Sequence, residues 1–71
     1  MKGELKMKIY LVDILTSGQW KNVIVGPRVF FSRIEAYNFY LRITRVNKCE
    51  ADFYKLQRLS GTCFGIEKRI E

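Results

Sequence analysis

Few side chains in this sequence could do chemistry: two cysteines, Cys49 and Cys63, and one acid, Asp13, set inside an apolar run. There is no histidine, so the chain lacks the commonest general acid–base and the commonest metal ligand at neutral pH. Ser–His and Cys–His nucleophile pairs are excluded with it. The cysteines are far apart, with no C-x-x-C spacing, and cannot complete the tetrahedral donor set of a structural zinc site. Gly61 and Gly65 lack the strand-to-helix context of a phosphate-binding loop. Asp13 has no second group to form a catalytic constellation, and pairing with a lysine or a place near a strand end accounts for it. The expectation is a binding protein rather than an enzyme, with no catalytic residue, cofactor or metal.

What remains is surface. Arg28 and Arg33 flank Phe30 and Phe31, and Arg42, Arg45 and Lys48 follow. Cations beside aromatics suit single-stranded nucleic acid, through phosphate neutralisation and base stacking. The same residues also fit a structural role: a Phe as core anchor, and arginines favourable at a helix C-terminus. A competing reading takes Tyr37, Tyr40, Trp20 and Tyr54 as a protein interface, since Tyr, Trp and Arg are enriched at hot spots. The candidate partner-binding residues are therefore Trp20, Arg28, Arg33, Tyr37, Tyr40, Arg42, Arg45 and Lys48. The partner is a protein, a nucleic acid or a second copy of the chain joined through Tyr40. A net charge of +6 favours anionic partners without choosing among them, and also serves solubility.

The elements that must carry these residues can be read from periodicity. Met7 to Leu15 alternates, with Met7, Ile9, Leu11 and Leu15 on one face and Tyr10, Val12 and Ile14 on the other. Apolar residues on both faces predict a central strand. Thr16 to Gln19 reads as a turn, and Trp20 to Val25 as a second strand hairpinned to the first. Pro27, with no N–H to donate, should end that ladder.

Ser32-Arg33-Ile34-Glu35 is a capping box, and predicts a helix from Arg33 to about Val46. On its wheel, Glu35, Asn38, Arg42 and Arg45 form one narrow polar stripe. Ala36, Tyr37, Phe39, Tyr40, Leu41, Ile43 and Val46 cover the rest. That arc is about twice the ~100° a docking helix needs. Phe53 to Leu59 fits a strand better than a short helix, Ser60-Gly61-Thr62 a turn, and Phe64 to Ile70 a last strand. The predicted fold is α+β: a ββαββ chain with a four-stranded, mainly antiparallel sheet and one helix on one face.

The hairpin entering Val29-Phe30-Phe31-Ser32-Arg33-Ile34-Glu35-Ala36-Tyr37 resembles a diffuse group of short, mostly uncharacterised phage and bacterial accessory proteins. In these, a hairpin leads through an aromatic and a Ser or Thr to Glu-Ala at a helix start. The resemblance implies a hairpin-plus-helix fold and an accessory-gene origin; the protein partner expected from the apolar helix face would then be a host or phage protein. It implies no active site.

With 71 residues the chain has room for one domain, expected over residues 7–71. Residues 1–6 have two readings. One is a charged tail. The other is a translated leader, because Lys2-Gly3-Glu4 can be encoded by a purine-rich ribosome-binding sequence upstream of Met7. No run approaches the ~20 apolar residues of a membrane span. The expected setting is the cytoplasm, with two reduced, mostly buried thiols.

Overall fold

The computed structural model describes residues 8–18 and 23–71. Residues 1–6, with their two readings, and Trp20 lie outside the described residues. The elements are β1 (Ile9–Ile14), β2 (Gly26–Phe30), α1 (Arg33–Leu41), a π-helical turn (Arg42–Val46), β3 (Ala51–Ser60) and β4 (Cys63–Arg69). The strands form one open antiparallel sheet in the order β2-β1-β3-β4, with the helix on one face, as the α+β reading expected.

β1 is central because both its edges are hydrogen-bonded, to β2 from Tyr10↔Phe30 to Ile14↔Gly26 and to β3 from Ile9↔Leu56 to Ile14↔Ala51. Tyr10, Val12 and Ile14 point to the helix and join Ala36, Ile43, Cys49 and Phe53 in the core. Phe53 is wholly buried, with the rings of Tyr10, Tyr37 and Tyr40 at 6.2, 6.5 and 5.6 Å between centroids. Burying such a side chain contributes about 1.5–3 kcal/mol, so this one phenylalanine anchors the helix to the sheet. β2 and β3 both oppose β1 and therefore run parallel to each other. Parallel strands need a crossover connection, and α1 supplies it by passing over β1.

The second strand is not where the sequence pattern put it. β2 begins at Gly26 and contains Pro27, whereas Val23 to Val25 lie outside any strand. The reason is topological. Among the described residues β2 has only β1 as neighbour, and an edge strand can turn the missing proline N–H to the side where no ladder forms.

The helix starts where the capping box said. Ser32 is extended at φ −131°, ψ 128°, and its Oγ accepts from the Glu35 N–H at 3.4 Å. Among the described residues only this forward half of the box forms; the Glu35 side chain lines a cleft instead. From Arg42 the helix widens to a π-turn, closed by Asn47 N–H donating to the Arg42 carbonyl at 3.1 Å. Thr44 explains the change: its hydroxyl donates to the Tyr40 carbonyl at 2.7 Å, competing for the acceptor of the regular i→i−4 ladder. Lys48 then takes a left-handed φ of 60°, the conformation that commonly ends helices.

The loop after β1 is bonded to the start of β3. Leu15 N–H donates to the Glu50 carbonyl at 2.7 Å, and the Glu50 N–H donates to Thr16 Oγ1 at 3.0 Å. Residues 53–59 are strand, within the longer β3. The β3–β4 turn holds Gly61 at φ 53°, and Arg58 Nε donates to the Gly61 carbonyl at 2.8 Å. Both cysteines are free; Cys49 is buried, but Cys63 is exposed at the start of β4 rather than buried as expected.

Candidate interaction surface

The predicted polar stripe is real. Glu35, Asn38, Arg42 and Arg45 are all exposed along the outer side of α1 and the π-turn, because a 100° step keeps them on one line while Ala36 and Ile43 point to the sheet. Arg33 and Lys48 are exposed at the two ends of the same helical stretch. Arg28 is half-buried, and its guanidinium donates to the carbonyls of Pro27 and Ile24, both at 3.0 Å. It is therefore held against its own backbone.

The net charge is segregated. Between Arg28 and Lys48, the cations Arg28, Arg33, Arg42, Arg45 and Lys48 meet only one anion, Glu35. Elsewhere among the described residues, Lys8, Lys55, Arg58, Lys68 and Arg69 are matched by Asp13, Glu50, Asp52, Glu67 and Glu71. Two of these pairs are in contact, Lys55–Glu67 at 3.4 Å and Arg69–Asp52 at 2.7 Å. The surplus positive charge of the described residues thus lies on the segment from β2 through the helix.

The aromatics divide between core and surface. Phe30 turns inward and packs on Phe39 at 5.1 Å between centroids, and the Arg42 guanidinium lies 5.5 Å from the Phe39 ring centre. These residues, with Glu35 and Asn38, line a shallow cleft of about 290 Å³ between α1 and β2. Tyr40 is half-buried and stacks on Phe53, so one ring face belongs to the core. Tyr37 touches the same ring yet remains 41% exposed. Tyr54 projects from β3 away from the helix, and its hydroxyl donates to Asp52 Oδ2 at 3.0 Å. The structure therefore groups Arg33, Tyr37, Arg42, Arg45 and Lys48 on the helix side, sets Tyr40 partly beneath them, and separates Tyr54 from them.

Ile34 and Val46 on the helix side, at 72% and 63% exposure, were not singled out from the sequence as partner-binding, and Phe31, named there beside Arg33, is 66% exposed. The alternation in β2 contained the signal for Phe31, since Phe30 pointing inward turns its neighbour outward.

Asp13 sits one residue from the end of β1, paired in register with Pro27 and Asp52. Among the described residues no group of acids and cysteines is arranged to hold a metal, and no helix is long and apolar enough to cross a membrane. Comparison of the chain with family models, curated proteins and solved structures returned no match.

Proposed function

We propose that this chain is a non-enzymatic accessory protein of a phage or bacterium that acts in the cytoplasm by binding another protein. It docks the helix-side surface on an acidic patch of a host or phage factor. The observation that carries this reading is the charge segregation: all the surplus cations of the described residues share one segment with exposed Phe31, Ile34, Tyr37 and Val46. Apolar and aromatic contacts ringed by arginine match the composition of protein interfaces, and the positive field would steer association with an acidic partner.

Single-stranded nucleic acid is the second reading, supported by exposed Phe31 beside Arg33. It has less support, because Phe30 and Phe39 pack on each other and Tyr40 stacks on Phe53. Few aromatic faces are left to receive bases, which is how such sites gain affinity.

The test is affinity capture with the tagged wild-type chain and with an Arg42→Glu/Arg45→Glu variant at moderate salt, alongside titration with a mixed-sequence oligonucleotide. A discrete protein partner held by the wild type and lost by the variant is expected. Capture indifferent to the double reversal would overturn the steering role. Oligonucleotide binding that falls steeply with salt would transfer the function to nucleic acid.

A further inference from the structure

The sheet has a second face, and the described helix does not cover it. Strand side chains alternate between faces, so with Tyr10, Val12, Ile14 and Phe53 turned to the helix, the opposite side carries a buried Ile9 and half-buried Leu11, Asp13, Asp52, Tyr54 and Leu56. The register carries this face across the sheet: Leu11 lies opposite Val29, Leu56 opposite Ile66 and Arg58 opposite Phe64. Val29, Ile66 and Phe64 are 54%, 54% and 44% exposed.

The charges on this face differ from those on the helix side. Asp13 and Asp52 are register partners at one end, with Arg69 bonded to Asp52 at 2.7 Å. Arg58 stands toward the other end of β3, roughly 20 Å away at ~3.3 Å per strand residue. Among the described residues the face therefore carries balanced charge with opposite signs toward its two ends, on a chain of net charge +6.

We infer that this face packs against the same face of a second copy, giving a two-sheet dimer with both basic helical surfaces outward. Charge balance is the reason for choosing a second copy. Two helix sides would repel each other, whereas two of these faces would not. A two-fold axis lying across the strands sets the aspartate end of each sheet over the Arg58 end of the other, as an isologous interface requires. The size fits a weak association. Strands of 6, 5, 10 and 7 residues, at about 3.3 Å per residue and about 4.8 Å apart, give a flat footprint of roughly 450 Å² per copy. Twice that, roughly 900 Å², is just under the ~1,000 Å² at which specific association begins, so the dimer should be weak and reversible, dissociating in the micromolar range or above. This seam differs from one through Tyr40, whose ring is half-committed to Phe53.

Sedimentation equilibrium of the full chain over roughly 1–500 µM, the range bracketing such a dissociation constant, tests the inference. The wild-type mass should rise from 8.4 kDa toward twice that value. Ile66→Asp should shift the midpoint at least tenfold. Val29→Asp, on a different strand, should do the same and decides the matter if Ile66→Asp fails to fold by circular dichroism. Val46→Asp, on the helix side and equally exposed, should leave the mass curve unchanged. Arg58→Asp and Asp13→Arg should each weaken the dimer, and the two together should recover it. A folded wild type that stays at 8.4 kDa throughout, or a Val46→Asp variant that dissociates as readily as Ile66→Asp, would overturn the inference.

Discussion

Alanine at Gly18 should remove a large part of the stability of this domain. Gly18 has φ +64°, and a Cβ built there would collide with the Asn47 carbonyl oxygen and lie 2.7 Å from the carbonyl carbon and oxygen of Lys48. All three atoms are backbone, so no side-chain rotation relieves the contact. Left-handed backbone costs about 1–2 kcal/mol for a residue with a Cβ. Overpacking that forces backbone shifts adds about 1–3 kcal/mol, for a combined loss of about 2–5 kcal/mol. A 71-residue chain has a total stability of about 4–11 kcal/mol at the usual per-residue value. Each kcal/mol moves Tm by about 4–8 °C in domains of this size, so the transition should fall by roughly 8–40 °C. Gly61 is the internal control. Its φ is +53°, yet a Cβ there meets nothing within 4 Å, and Gly61→Ala should show only the conformational loss of about 1–2 kcal/mol. Thermal and urea unfolding followed by far-ultraviolet circular dichroism give both values, with an unchanged m-value confirming that the native state is what moved. If the two alanine variants lose equal stability, the loop after β1 does not press on the end of the helix and the reasoning is wrong.

Two further outcomes follow from local geometry. Lys48, a non-glycine at φ 60°, should accept glycine with a gain of about 0.5–1 kcal/mol in urea unfolding, and a loss would mean the side chain contributes packing that its exposure does not reveal. The Tyr54 phenol is held above its ordinary 10.0 chiefly by its hydrogen bond to Asp52, then by partial burial and the Asp52 charge, with Arg69 opposing. This favours the protonated ring, so the stabilisation is complete below pH 10 and is lost as pH rises through the raised value; in ¹³C-tyrosine NMR titrations Asp52→Asn should lower the Tyr54 midpoint, and an unmoved midpoint would contradict the assigned cause.

Local signals in the sequence were sufficient wherever the physics is local. Ser32 and Glu35 are three residues apart, the spacing at which an N-cap hydroxyl reaches its N–H, so the helix start needed no knowledge of the fold. The same holds for the stripe from Glu35 to Arg45, which follows from the helical repeat, and for the grouping of Tyr10, Val12 and Ile14 on one face of β1; which face meets the helix did not follow from it. Non-local features were not legible. Trp20 to Val25 has the composition of a strand, but β2 is Gly26–Phe30, chosen by what pairs with β1 and brings Phe30 onto Phe39. Pro27 could be read as a strand terminator only while its place at the sheet edge was unknown. Tyr37 and Tyr40 look alike on the helical wheel. The position of Phe53 across the layer decides that one is exposed and the other half-buried. The charge balance of the face away from the helix is likewise a tertiary fact, because Asp13, Asp52, Arg58 and Phe64 come from three strands and meet only through register.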